Sequence, residues 1–109
     1  MLALSALADP TRRHILEMLA SGELSSGQIA GHFDLTPPAI SQHLKVLREA
    51  RLVRVRAQAQ RRIYGLDPAG LIELEQWLTR IRRFRSRRLD ALERQLGGAQ
   101  RDHTRRKTP

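Results

Sequence analysis

The chain has 109 residues, 40% hydrophobic and only 4% aromatic, so it can form one domain whose core is mainly leucine and isoleucine. Its 20 lysines and arginines exceed its 11 acidic residues, and the resulting charge of +9 favours a polyanionic partner. The absence of cysteine excludes disulfides and thiolate chemistry. No stretch approaches the about 20 apolar residues of a membrane span, so we expect no membrane partner. The opening run MLALSALA is too short for a signal sequence and has no basic residue before it, so we expect a cytoplasmic protein.

Helix starts can be read from capping chemistry. Asp9, Thr36 and Asp67 each place a side-chain oxygen directly before a proline, and Ser25 precedes Gln28 by three residues, as in a capping box. A short apolar segment comes before the first of these signals. The predicted helices span residues 2–7, 10–20, 25–32, 37–50 and 68–96.

The second, third and fourth predicted helices each carry apolar residues at intervals of three and four, which gives each helix one buried stripe. Only Asp34, Leu35 and Thr36 separate the third helix from the fourth. Two short helices joined this tightly are typical of a helix-turn-helix. The predicted core residues are Ile15, Leu16, Leu19, Ile29, Phe33, Ile40, Leu44 and Leu47.

A basic β-hairpin is predicted after the helix-turn-helix. Residues 52–56 and 62–66 alternate between apolar and polar side chains, and residues 57–60 form the turn region between them. A hairpin in this position is called a wing. The expected fold class is therefore mainly α with a small β-hairpin, a winged helix-turn-helix. The basic residues of the wing are Arg54, Arg56, Arg61 and Arg62.

The last predicted helix carries an apolar stripe over about 29 residues, a length of about 43 Å that the small body cannot cover. Arg85 interrupts this stripe, but its length predicts a second copy of the chain as partner. Gly97 and Gly98 end the helix, so we expect one domain over residues 1–96 and a disordered basic tail over residues 97–109. The stripe residues expected at the dimer interface are Leu71, Leu74, Leu78, Ile81, Leu89 and Leu92.

Two runs of sequence carry a family resemblance. ALADPTRR over residues 6–13 and ISQHLKVLREA over residues 40–50 resemble the ArsR family of bacterial winged-helix repressors, and the likeness extends over about residues 4–92 in family order. It implies repression of an operon, often the repressor's own, by a two-fold dimer built from the first and last helices. Leu2 and Leu4 of the first helix join the expected interface on this basis.

The chain also departs from the family it resembles. Arg51 and Ala59 occupy positions where the family usually has glycine, before the wing and at its turn, so we expect a wing turn wider than is typical. The long last helix, with Trp77 and RLDAL over residues 88–92, resembles the metal-free branch of the family.

DNA contacts are expected from the outward residues at the start of the fourth helix. Gln42 can pair bidentately with adenine, and Ser41 and Lys45 can contact a base or a phosphate. His43 lies beside the core stripe, where it either packs internally or contacts phosphate. Arg12 and Arg13 either contact phosphate or pair with an acid. The candidate DNA contacts are Pro38, Ser41, Gln42, His43, Lys45, Arg56, Arg61 and Arg62.

Neither a metal site nor a catalytic centre is predicted, and no cofactor is expected. The four histidines are scattered, and no nucleophile elbow, phosphate loop or paired acid and histidine occurs. Two alternatives remain open: a metal- or small-ligand-responsive sensor with the same DNA-binding fold and an unknown effector, and a non-specific nucleoid or RNA-binding module. The positions matching the family's last-helix metal ligands hold Pro68, Gly70, Ile81 and Phe84.

Overall fold

Five helices and three strands follow one another in a computed structural model that describes residues 1–96. The predicted tail, residues 97–109, lies outside this range. The chain divides into two units within the last helix, the first comprising residues 1–75 and the second residues 76–109. None of the described helices is long and apolar enough to cross a membrane. The elements are α1 (Leu2–Ala6), α2 (Pro10–Ala20), β1 (Leu24–Ser25), α3 (Ser26–Ala30), α4 (Pro37–Glu49), β2 (Val53–Gln58), β3 (Arg61–Leu66) and α5 (Pro68–Gln95).

The predicted capping chemistry is present at four helix starts. The side chains of Asp9 and Thr36 accept hydrogen bonds from the backbone N–H three residues on, at 3.0 and 3.3 Å, and Asp67 accepts one from residue 69 at 3.0 Å. Ser25 and Gln28 form both bonds of the capping box, at 3.1 and 2.8 Å. Only α3 differs clearly in length, since it ends two residues before the predicted boundary.

The core of the first unit forms where α2, α3 and α4 meet the sheet. Six of the eight predicted core residues are buried, and Leu16 and Phe33 pack partly buried against them. Small residues of α1 and the start of the wing complete this core, which holds α4 firmly along one side. The buried hydrophobic residues are Ala3, Ala6, Ile15, Leu19, Ile29, Ile40, Leu44, Leu47, Ala50, Leu52, Val53 and Tyr64.

The wing differs from the predicted hairpin in two ways. A third strand, β1, pairs with β3, so the sheet has the antiparallel order β1-β3-β2. The prediction of a wide turn was wrong, because Gln58 pairs with Arg61 and leaves only Ala59 and Gln60 between the strands. Ala59 makes this tight turn by adopting a φ of 57°, a left-handed conformation that usually favours glycine.

A close backbone contact joins the end of α4 to the first turn of α5. Arg51, the second position without the family's glycine, also has a φ of 57° and turns the chain into the wing. The N–H of Gly70 donates a hydrogen bond to the carbonyl oxygen of Arg51 at 2.7 Å. A Cβ atom at position 70 would lie 2.5 Å from that oxygen, so this position requires glycine.

Candidate nucleic-acid interface

The outward face of α4 is the first part of the candidate interface. The predicted reading residues Pro38, Ser41, Gln42 and Lys45 are all exposed. On the opposite side of α4, Ile40, Leu44 and Leu47 are at most 2% exposed and pack into the core. The helix therefore presents polar side chains from a rigidly supported position, as a helix that enters a DNA groove must.

His43 lies at the edge of this face and has internal partners. Its side chain is 21% exposed, and its Nδ1 atom lies 3.4 Å from Nη1 of Arg12 and 3.9 Å from Oδ2 of Asp9. Of the two alternatives for His43, these contacts support internal packing. They connect α4 directly to the start of α2.

Arg12 and Arg13 bind the C-terminal end of α1. Nε of Arg12 donates a hydrogen bond to the carbonyl oxygen of Ala6 at 2.6 Å, and Nη1 of Arg13 donates one to that of Leu7 at 2.8 Å. Basic side chains commonly satisfy the last carbonyls of a helix in this way. The sequence predicts a phosphate contact or an acid partner for these arginines and does not predict this role. Each arginine lies only six residues along the chain from the carbonyl that it binds.

The Asp9 carboxylate is stabilised in its charged form. Its hydrogen bond from the backbone N–H of Arg12 is the largest cause, and the charges of His43 and Arg12 add to it, which together hold the pKa of Asp9 below its ordinary 3.8. A carboxylate at a helix N-terminus also interacts favourably with the helix dipole. Asp9 therefore stabilises the start of α2 in two ways, by its capping hydrogen bond and by its negative charge at the helix N-terminus.

The wing presents arginines from both faces of the sheet. Residues directly opposite in the register share a face, so Arg54, Arg56 and Arg61 lie on the outer face. Arg62 pairs with Ala57 on the other face, beyond the end of the core. Arg61 and Arg62 therefore lie on opposite faces of the sheet, and both side chains are exposed at the tip of the wing.

A shallow cleft separates the wing tip from the start of α3. Guanidinium groups line it on the wing side and serine hydroxyls on the helix side, and both groups are suited to phosphate oxygens. The cleft places the tip arginines beside the helix-turn-helix rather than away from it. Its lining residues are Ser25, Ser26, Gly27, Gln28, Gln60, Arg61 and Arg62.

Arg56, a predicted DNA contact, forms an ion pair that sequence reasoning missed. Its Nη2 and Nε atoms lie 3.2 and 3.3 Å from the carboxylate of Glu23. This hydrogen-bonded contact lowers the pKa of Glu23 and raises that of Arg56. Gly65 lies beneath the pair, and a Cβ atom there would be 3.3 Å from Cγ of Glu23. About half of each side chain is exposed, so solvent screens the pair.

The predicted dimerisation residues fall into two classes of exposure. Leu71 and Leu74 are half-buried, and Leu71 packs against the core of the first unit. Leu2 of α1 is 66% exposed, and the remaining predicted residues are also exposed. These remaining residues are Leu4, Leu78, Ile81, Leu89 and Leu92, with exposures between 45% and 55%.

The residues described here bring no set of metal ligands together. Within residues 1–96, no three histidine or acidic side chains lie close enough to hold a metal ion. Gly70 is one of the positions that the family resemblance matches to the metal ligands of the last helix, and there the close carbonyl of Arg51 leaves no room for a side chain. The chemistry that this surface offers is hydrogen bonding and positive charge.

Comparison with known proteins agrees with this geometry. The model of the bacterial regulatory protein family arsR matches residues 9–55. The HTH-type transcriptional regulator Rv2034 of Mycobacterium tuberculosis is 52% identical over 72% of this chain and 74% of its own length. The transcriptional repressor SdpR of Bacillus subtilis is 37% identical over 67% of this chain and 81% of its own.

The fold is shared with a solved structure as well. The crystal structure of a possible transcriptional regulator for arsenical resistance is 42% identical, with a TM-score of 0.69 over 74% of this chain and 84% of that protein. Family, sequence relatives and fold thus point the same way. This chain belongs to the ArsR family of bacterial regulatory proteins, a family of DNA-binding transcriptional regulators.

Proposed function

We propose that the chain is a homodimeric repressor that binds a palindromic operator, its own promoter included, with α4 in the major groove. The observation that carries this proposal is the exposed set of Pro38, Ser41, Gln42 and Lys45 on a helix whose other side is fully buried. A reading helix needs both properties, because its polar atoms must reach base edges while its backbone stays fixed.

Each exposed side chain of α4 has a distinct chemical role in this proposal. The amide of Gln42 offers a donor and an acceptor in one plane, which matches the major-groove edge of adenine. Ser41 donates to a base or a phosphate, and Lys45 neutralises a phosphate. Pro38, in the first turn, places α4's start against the DNA without a backbone donor of its own.

Two further groups of residues assist the reading helix: the arginines of the wing, and His43 with its partners at the start of α2. Arg61 and Arg62 reach the phosphates or the minor groove from the wing tip. Arg56 joins them only when it leaves Glu23, since its charge is already neutralised. His43 acts indirectly, because its contacts with Asp9 and Arg12 set the position of α4.

Exposed apolar side chains support the dimer. In α5, Leu78, Ile81, Leu89 and Leu92 are each about half exposed, and in α1 Leu2 is 66% exposed. Covering each half-exposed leucine would contribute about 1 kcal/mol. A second copy would supply that cover and bring two α4 helices to successive major grooves, about 34–36 Å apart. The repressor would act on the chromosome, in the cytoplasm.

Footprinting on the DNA upstream of the chain's own gene tests the proposal. We expect protection of an inverted repeat, and less transcript from that promoter when the protein is added in vitro. Protection without symmetry, no protection at all, or an increase in transcript would contradict a homodimeric repressor.

A sensor that releases DNA on binding a metal or ligand is the second candidate, because a structurally similar protein is named for arsenical resistance. The same transcription assay separates the two. In our proposal, zinc and cadmium leave repression unchanged, whereas relief of repression at micromolar metal would establish the sensor.

A further inference from the structure

Positive charge is distributed very unevenly between the two units of the chain. Residues 1–75 contain nine lysines and arginines against eight acidic residues, a net charge of +1. Residues 76–109 contain eleven against three, a net charge of +8. The first unit as a whole, in which acidic residues offset the arginines of the wing, therefore accounts for almost none of the excess charge, and the proposed function leaves the excess in the second unit unexplained.

Much of this excess lies in one short stretch of α5. Six arginines and no acidic residue occur between Arg80 and Arg88, and all six side chains are exposed. In the described part of the chain, none of them forms a salt bridge. Like charges three and four residues apart destabilise a helix, so folding alone does not favour this sequence.

Four of the seven arginines of α5 form a defined face. Arg80, Arg83, Arg87 and Arg94 are separated by three, four and seven residues, which places them along one side of the helix. Four exposed apolar residues lie on the opposite side of the helix, namely Leu78, Ile81, Leu89 and Leu92. Pairing of two copies through the apolar side would therefore leave the arginine face accessible.

The groups on this face suit phosphate. Thr79 and Ser86 place hydroxyl groups among Arg82, Arg83 and Arg87, and these five residues line one shallow cleft. Guanidinium and hydroxyl donors together are the usual partners of phosphate oxygens. Successive arginines three or four residues apart rise by about 4.5–6 Å along the helix, so the face can follow a regular array of phosphates.

We propose that the arginine face of α5, formed by Arg80, Arg83, Arg87 and Arg94, binds the phosphates of duplex DNA outside the segment that α4 reads. A DNA-bound regulator is surrounded by such phosphates. Arginine side chains contact phosphates whatever the base sequence, so this face suits a sequence-independent contact. The protein would thus hold its operator through α4 and a further DNA segment through α5. This inference rests on the proposed function only for the operator contact.

Capture of a second duplex tests the proposal. The full chain is saturated with a short operator duplex taken from the footprinted region, and a fluorescent duplex of unrelated sequence is then titrated. We expect wild-type protein to form a complex with both duplexes, and the variant R80Q/R83Q/R87Q to lose the second. The variant R80K/R83K/R87K is the matched control, and it should retain the second duplex because its charge is unchanged.

Salt dependence gives an independent readout. On a long duplex with operator flanks, the slope of log K against log salt should fall by about 2–3 in R80Q/R83Q/R87Q, since three phosphate contacts are lost. Between 50 and 200 mM salt this difference amounts to about 40-fold in affinity. If second-duplex capture fails in wild type but the slope falls as stated, α5 contacts flanking DNA of the same duplex, which the proposal includes.

Other results would overturn the inference. Equal second-duplex capture and equal salt slopes for wild type and R80Q/R83Q/R87Q would do so, as would loss of capture in the lysine variant. Binding of an acidic protein but of neither DNA segment would assign the face to another partner. Thermal unfolding and sedimentation serve as folding controls, and R80Q/R83Q/R87Q should unfold at the same or a higher temperature because it removes repulsion.

Different experimental results would contradict the inference about α5 and the proposed function of α4. Q42A should lose operator preference but keep capture of unrelated duplex, whereas R80Q/R83Q/R87Q should do the reverse. A wild-type protein that captures unrelated duplex but shows no operator preference would contradict the proposed function alone.

Discussion

Gln42 is the side chain on the exposed face of α4 best suited to choosing between bases. Gln42→Ala removes both amide contacts, so we expect operator affinity to fall by about 1–3 kcal/mol and the preference at one base pair to relax. Gln95→Ala, the same change at an exposed position of α5, is the control. Titration against operator duplexes with each base pair replaced in turn measures both effects, and an unchanged preference would remove Gln42 from the reading set.

Glu23 restrains the positive charge of Arg56 on the wing. Because their ion pair is open to solvent, breaking it should cost little stability and leave Arg56 free to reach phosphate. Glu23→Gln should therefore tighten binding to any duplex and steepen the salt slope by about 0.9. Glu17→Gln makes the same charge change on α2 and controls for net charge. If the two variants bind alike, Arg56 does not contact DNA.

Asp9 links stability to pH. Its folded pKa lies below 3.8, so its charge stabilises the protein fully above that pH and less as the pH falls through the folded value. Asp9→Asn keeps a capping oxygen but cannot titrate. Urea unfolding at pH 7 should show the variant less stable by about 0.3–1 kcal/mol, the usual contribution of a negative charge at a helix N-terminus. The gap should narrow as the pH is lowered below 3.8 and the folded-state carboxylate becomes protonated, and a pH-independent gap would contradict this role.

The exposed reading residues could be predicted from helical spacing, because only the stripe of Ile40, Leu44 and Leu47 was needed to orient α4. The partners of His43 and Arg56 could not. Their contacts join residues 31 and 33 positions apart, and only the assembled fold brings these together.

At the level of elements, local chemistry decided what could be predicted. Helix starts were predictable because a cap and a proline act within three residues of each other. Strand β1 was not, since two residues carry no periodicity and Leu24–Ser25 becomes a strand only by pairing with β3. The wing turn was mispredicted because Ala59 accepts a left-handed conformation in place of glycine.

The backbone of Ala59 in the wing turn is therefore strained, and a substitution can relieve that strain. A left-handed conformation costs an ordinary residue about 1–2 kcal/mol, and glycine avoids that cost. Ala59→Gly should stabilise the protein by about 1 kcal/mol in urea unfolding. Ala57→Gly, two residues earlier and inside β2, should instead destabilise it by about 0.5–1 kcal/mol. Equal effects of the two changes would contradict the tight turn.

At the level of the whole molecule, α5 combines two surfaces that a simple winged helix lacks. Its exposed leucines support pairing of two copies, and its arginine face carries charge that the first unit does not. The sequence predicted the first of these from the length of the apolar stripe. Net charge alone could not predict the second, because +9 says nothing about which element bears it.

Selection of duplexes from a random library by the full-length protein tests the central claim most directly. If two copies pair and each reads DNA with α4, the enriched sequences will contain two inverted half-sites about 10–10.5 base pairs apart, centre to centre. The Gln42→Ala protein will enrich the same spacing with one position relaxed. Enrichment of a single, unpaired site, or no enrichment over the starting library, would contradict the account.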